Sequence, residues 1–202
     1  IGCDTFQIFS ANPRRWKRQE LNSLQCKIFC SERSAAKISP LVIHCNYLIN
    51  LASHDPLNRD KSIVAFRQEI QRAKMLKADY LIIHPGSARG GATKSAIQLC
   101  ADSMKRAVRS LNLNCLTILV ENTAGQGYSI GRSFEEVAEI LSLADELPLG
   151  VCLDTAHCFE AGYPIHTQKG LAQTMQRAER TFGKERLLAV HANDSKTALG
   201  SC

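Results

Sequence analysis

Residues 150–157 read Gly-Val-Cys-Leu-Asp-Thr-Ala-His, an apolar run that stops on a carboxylate, with an imidazole three positions beyond it. A short apolar run without polar alternation is what a strand buried on both faces requires, and such strands belong to parallel sheets. The same unit recurs in both directions, with apolar runs at 5–9, 41–44, 80–84, 117–121 and 187–191. The intervals carry helix patterning. Within 60–77, Ile63, Phe66, Ile70, Ala73 and Leu76 fall at three- and four-residue steps, so one face is apolar. Segments 93–111, 133–143 and 167–182 read the same way. Ser133 and Glu136 have the spacing of a capping box, and Gly183 closes the last helix. Asp55-Pro56 and 86–91 read as loops on the strand-exit face.

Strands alternating with helices at intervals of roughly 33 to 40 residues predict an α/β fold of the TIM (β/α)8 barrel type. A doubly wound sheet would place a Gly-rich phosphate loop after its first strand, and the sequence has none there. Six strand-helix units are legible where a closed barrel has eight. Residues 1–202 therefore read as a single partial TIM-barrel domain. The chain opens on Ile1 rather than Met and stops at Cys202 inside a loop, which places the missing units at its ends.

With 45% hydrophobic and 22% charged residues among 202, the composition is that of a globular protein and excludes disorder or a coiled coil. Its 25 basic and 19 acidic residues give a net charge of +6, which suits a polyanionic partner and equally an evenly solvated surface. Nine scattered cysteines without a C-x-x-C pair read as reduced thiols. No apolar run approaches the ~18 residues of a membrane span, and no leader precedes the first strand. A cytoplasmic protein that does not engage membranes is expected.

The ends of the strands carry the chemistry. His44 follows Leu-Val-Ile, His84 follows Tyr-Leu-Ile-Ile, Glu121 follows Thr-Ile-Leu-Val, Asp154 follows Gly-Val-Cys-Leu, and His191 follows Leu-Leu-Ala-Val. In a parallel barrel all strand C-termini meet at one mouth, so five ligand-type side chains distant in sequence would surround one cavity. His157, in the loop after its strand, adds a sixth. Imidazoles mixed with carboxylates suit zinc or manganese, whereas magnesium takes fewer histidines and more water. Two carboxylates among so many ligands allow bridged ions that clamp the oxygens of a phosphodiester. His54 and His166 have no strand before them and read as ordinary hydrogen-bonded histidines.

At these residues the sequence resembles the endonuclease IV family, through FQIFSANPRRW (6–16), HCNYLINLAS (44–53), IHPGS (83–87), VENTAGQG (120–127), GVCLDTAHCFEAGYPI (150–165) and HANDSKTALGS (191–201). The resemblance implies an apurinic/apyrimidinic endonuclease of base excision repair. Such an enzyme cuts double-stranded DNA 5′ to an abasic site and leaves a 3′-hydroxyl. It implies three zinc ions at the barrel mouth, with manganese as a partial substitute, held in this sequence by His44, His84, Glu121, Asp154, His157 and His191. Glu121 would bridge, and Glu121 and Asp154 would be the catalytic carboxylates. By motif match, Arg14 and the pair Tyr47 and Leu48 would enter the DNA at the lesion, where apolar and aromatic side chains replace lost stacking. Lys196, on the rim beyond His191, is placed either to meet a phosphate or to stand as a solvated loop lysine, and Trp16 to pack beneath its loop rather than to touch DNA.

The family also has a Gly-Ala-His-Val-Ser first strand, an Asp-x-His pair after the final Gly-Ser, and a later bridging Glu, none of which occurs in these 202 residues. Three ligands are thus missing, one ion would keep only His157, and this stretch alone is expected to be poorly active. Two alternatives stand beside the nuclease: a xylose-isomerase-like sugar isomerase or epimerase, whose site would lean on carboxylates, and an inactive partial gene product. A monomer is expected.

Overall fold

A computed structural model of the chain describes residues 2–202. Six parallel strands lie side by side in chain order: β1 (Phe6–Ile8), β2 (Leu41–His44), β3 (Tyr80–Ile83), β4 (Thr117–Glu121), β5 (Leu149–Asp154) and β6 (Leu187–His191). Helices α1 (Ser23–Ala35), α2 (Pro56–Met75), α3 (Thr93–Val108), α4 (Phe134–Leu143), α5 (Thr155–Glu160) and α6 (Gln168–Phe182) complete the described elements, with single 3-10 turns at Gln126–Tyr128 and Lys184–Arg186. This is the partial TIM barrel expected from the strand spacing.

Alternation along each strand builds the site. Leu41 and Ile43, Leu81 and Ile83, Ile118 and Val120, and Val151 and Leu153 all join the core shared with the helices, where Phe66, Ile70, Ile97, Met104 and Phe134 are buried. The intervening residues Val42, Ile82, Leu119 and Cys152 form a second, smaller apolar cluster with Ala189 against it. Because side chains repeat every two residues on one face, the next inward positions are His44, His84, Glu121, Asp154 and His191. The parallel register pairs Asp154 with His191 and Glu121 with Cys152, so the strand ends are staggered around the mouth as barrel curvature requires.

Local chemistry starts and stops the helices. Asp55, read from sequence as a loop residue, is the N-cap of α2: its carboxylate accepts from Leu57 N and Asn58 N, and Pro56 takes the first helical position. Ser133 caps α4 by accepting from Glu136 N at 3.2 Å, while the Glu136 carboxylate takes the amides of Gly131 and Arg132, a displaced form of the expected box. Gly183, at φ 83°, ends α6. Helix α1 has no counterpart in the sequence reading, because only Cys26 is buried on it and Leu24 and Ile28 face solvent, so no apolar stripe marks it. All nine cysteines are unpaired thiols, and among the described residues no helix is long and apolar enough to cross a membrane.

Phe66 is fully buried between α2 and the sheet. Phe66→Ala is expected to lower the unfolding free energy by about 3–5 kcal/mol, as measured by urea titration; a loss under about 1 kcal/mol would show that Phe66 is not a core residue.

Candidate metal centre

Four imidazoles surround one carboxylate at the strand ends. Glu121, 1% exposed at the end of β4, presents Oε2 to His44 Nε2 and His84 Nε2, both at 3.1 Å. Its other oxygen, Oε1, faces His191 Nδ1 at 3.1 Å and His157 Nδ1 at 3.4 Å. Asp154 closes the far side, with Oδ2 at 3.7 Å from His191 Nδ1 and Oδ1 at 3.8 Å from His157 Nδ1. All six residues selected at or just beyond the strand ends therefore meet in one place. His157 sits on α5 rather than in a loop, since Asp154 caps that helix by accepting from His157 N at 2.9 Å.

The hydrogen bonds behind the rings define which nitrogen faces the centre. His44 Nδ1 donates to the Cys45 carbonyl at 2.7 Å, because a carbonyl oxygen only accepts; Nε2 is then the atom turned toward Glu121. His191 Nε2 meets the Gln7 side-chain oxygen at 2.8 Å, which commits Nδ1 to the centre. In neutral imidazoles these inward nitrogens are lone pairs facing an anionic oxygen at about hydrogen-bond distance, an arrangement that needs positive charge between them. Protons or divalent cations both supply it, and backbone or amide groups behind histidine rings are the usual support of metal ligands. His157 differs: its Nδ1 donates to the Asn122 carbonyl at 2.9 Å, and among the described residues nothing bonds Nε2.

Burial alone would raise the Glu121 pKa, but hydrogen bonds from His191, His44 and His84 outweigh it and hold the carboxyl well below the usual range. The bond to Glu121 raises the His191 pKa against the effect of desolvation. Three ligand sets have donor atoms close enough to share an ion: His44, His84 and Glu121; Glu121, Asp154 and His157; and Glu121, Cys152 and His191. Cys152 lies in the apolar layer below, and burial together with Glu121 and Asp154 keeps it a thiol. Asp154 is thus the better partner for His191, being a carboxylate rather than a protonated sulfur.

The candidate DNA-contacting residues lie on the rim. Tyr47, 48% exposed, packs against Phe9 (5.3 Å between centroids), His44 (5.1 Å) and His84 (5.9 Å), so its ring is built into the wall of the centre. Leu48 beside it is half-buried and lines a groove of about 500 Å³ that runs from His84 and His157 toward Trp16. Arg14 is exposed and close enough to Tyr47 for its charge to act on the phenol. Lys196 is exposed beyond His191. Trp16 packs against the core with Lys61 over its ring at 4.2 Å, the packing role expected of it. His54, bonded to Ala88 O and Ser95 Oγ, and His166, edge-on to Phe159, stay outside the cluster.

The sequence reading did not select Gln7 or Asn122. Gln7 comes from β1 to reach His191, a contact across 184 residues that no local pattern encodes. Asn122 follows Glu121 directly; its side chain accepts from Asp154 N at 2.7 Å while its carbonyl holds His157. The residue after a strand-end ligand was the available signal. A larger cavity, about 750 Å³ between α1 and the end of α2, holds none of these residues.

A buried carboxylate shared by strand-end histidines in a partial β/α barrel defines the class, and the family described as xylose isomerase-like TIM barrel matches residues 1–202. Within that class the chain belongs to the endonuclease IV family. It is 47% identical to "Probable endonuclease 4" of Solibacter usitatus over all of this chain and 70% of the relative, and 35% identical to that of Persephonella marina, again over 70% of its length. The crystal structure of endonuclease IV from Thermus thermophilus superposes with a TM-score of 0.85 at 34% identity, covering 98% of this chain and 69% of that one. A D-tagatose 3-epimerase-like protein superposes at 0.71 with 19% identity, covering 96% and 68%, which shows a common fold.

A divalent ion held by these residues would compete with protons, with opposite pH dependence. Without metal, the raised His191 pKa means that its pairing stabilises the fold below about pH 6.5 and that this contribution is lost as pH rises through the folded value. The low Glu121 pKa keeps the carboxylate side of the pair charged until strongly acid pH. Zinc needs unprotonated imidazoles. The stabilisation added by zinc, read as a shift in Tm, is therefore expected to grow from pH 6 to pH 8 and to collapse in Glu121→Gln; a shift that shrinks over this range would contradict the ligand set.

Proposed function

We propose that this chain is the barrel of an apurinic/apyrimidinic endonuclease of base excision repair. It would hydrolyse the phosphodiester 5′ to an abasic site in double-stranded DNA and leave a 3′-hydroxyl. The observation that carries the reading is the pairing of the Glu121 centre with Tyr47 in its wall: a charge-stabilising site whose His44 and His84 rings pack against an exposed aromatic ring. On this reading residues 1–202 are one partial TIM-barrel domain, working as a monomer in the cytoplasm.

His44 and His84 with Glu121 Oε2 would hold one divalent ion, His191 and Asp154 with Oε1 a second, and His157 would contribute to a third. Zinc suits this nitrogen-rich set, and manganese can replace it in part. Bound there, divalent ions supply Lewis-acid stabilisation of phosphate oxygens and lower the pKa of water. The protein's own part is positional. Glu121 and Asp154 offset the ionic charge, and Cys45 O, Gln7 and Asn122 fix the ring orientations. Tyr47 and Leu48 would fill the gap left by the missing base, Arg14 would enter the same opening, and Lys196 would meet a backbone phosphate. A nucleotide without a base costs little to turn out of the stack, which favours the lesion over intact DNA.

The epimerase alternative shares the fold, but four imidazoles around one carboxylate favour phosphodiester chemistry over the carboxylate-led sites of sugar isomerases. Because only His157 stands ready for a third ion, incision by these 202 residues alone is proposed to be slow. The test is zinc-loaded protein with an end-labelled duplex carrying one abasic analogue. A nick immediately 5′ to the analogue, whose end a polymerase extends, and a rate lowered at least about a hundredfold by Glu121→Gln are expected. Turnover of a free ketose with no nick would refute the nuclease reading. Tyr47→Ala should weaken preference for the abasic duplex by about 1–3 kcal/mol with zinc content unchanged; equal loss on intact DNA would remove Tyr47 from lesion recognition.

A further inference from the structure

The loop that carries Arg14 and the loop that carries Tyr47 share one buried anchor on α2. Glu69 is 2% exposed and three donors converge on its carboxylate. Oε1 accepts from Arg18 NH2 at 3.0 Å and from the Asn46 backbone N–H at 3.2 Å, and Oε2 accepts from Ser10 Oγ at 3.0 Å. Arg72, three residues along the helix, donates from Nε to Ser10 Oγ at 2.9 Å, from NH1 to Gln19 O at 2.8 Å, and from NH2 to Ser10 O. Arg18 is tied down further by Ala65 O and Gln68 Oε1. Glu69 and Arg72 thereby grip both ends of the loop from Ser10 to Gln19.

The same carboxylate reaches the second loop through Asn46. Asn46 Nδ2 donates to Asn12 O at 3.2 Å and to Arg15 O at 2.7 Å, while its Oδ1 accepts from Leu48 N at 2.8 Å. Tyr47 N donates to Pro13 O at 2.9 Å. The backbones on either side of Arg14 and Tyr47 are thus stitched to each other and to α2, whereas the Arg14 guanidinium and the Tyr47 hydroxyl make no hydrogen bond among the described residues. A buried charge network contributes little net stability over an apolar core, so its use is geometric. It fixes two loops whose side chains stay free.

We propose that Glu69 is a positioning residue for lesion recognition. It holds the Arg14 and Tyr47 loops as one preassembled probe, ready before DNA arrives. The proposal rests on the functional reading above, and it makes the preference for abasic DNA depend on a residue that touches neither the DNA nor the metal ligands' side chains.

Trp16, the only tryptophan of the chain, lies inside the first loop and reports on its order. Glu69→Gln removes the charge at constant size. In the folded variant, acrylamide quenching of Trp16 is expected to rise about twofold and tryptic cleavage after Arg14, Arg15 or Lys17 to accelerate about tenfold. Preference for an abasic-analogue duplex over an intact one should fall about tenfold, with zinc binding unchanged. Added to Arg14→Ala with Tyr47→Ala, Glu69→Gln should cost no further preference, a non-additivity that general destabilisation would not produce. Glu69→Asp, which keeps the charge but is one methylene too short to span all three donors, should give smaller changes in the same direction. Should Glu69→Gln fail to fold, Ser10→Ala tests the same link by removing the hydroxyl's bonds to Glu69 Oε2 and Arg72 Nε. Unchanged quenching and proteolysis, or a full loss of preference on the Arg14→Ala, Tyr47→Ala background, would overturn the positioning role. A wild-type chain with shielded Trp16 and no preference for the abasic duplex would instead refute the functional reading, and with it the recognition part of this proposal.

Discussion

A single buried carboxylate organises the mouth of this barrel. Glu121 sits at the end of a central strand, where its two oxygens are divided between His44 and His84 on one side and His191 and His157 on the other. An isolated carboxylate at such depth would be strongly disfavoured as an anion. It is tolerated here because every neighbour is either a cation when protonated or a ligand that brings a cation with it. The rest of the structure serves that condition: the apolar layer of Val42, Ile82, Leu119 and Cys152 seals the barrel below, and the helices outside supply the burial that keeps the strands in place.

Fold and site follow from the same periodicity. Two-residue alternation sends one set of side chains to the helices and the other to the barrel axis, so the last inward residue of each strand has no choice but to face its counterparts. This is why strand-end residues 44, 121, 154 and 191, with His84 one position beyond β3, were legible in the sequence as a set, although they come from separate strands far apart along the chain. The helices were legible where a coherent apolar stripe ran along them, as in α2 with Phe66 and Ile70. Helix α1 lacked such a stripe, and α5 is too short for periodicity to register.

What the sequence hid were contacts made by side chains that look unremarkable in their local setting. Gln7 is a polar residue in a short edge strand, and Glu69 reads as one more charge on an amphipathic helix; only the assembled barrel brings the first to His191 and the second to Ser10, Arg18 and Asn46. Both belong to the layer that orients other groups, where meaning comes from distance in space. Sequence motifs mark the groups that meet the ligand far better than the groups that hold them.

The proposed sharing of Glu121 between two ions is open to a direct check by X-ray absorption at the zinc edge of the loaded chain. Metal-metal scattering at about 3.5–4 Å, lost when Glu121 is replaced by Gln, is the result this account predicts. Zinc bound with nitrogen and oxygen neighbours alone, and a spectrum indifferent to that replacement, would contradict it.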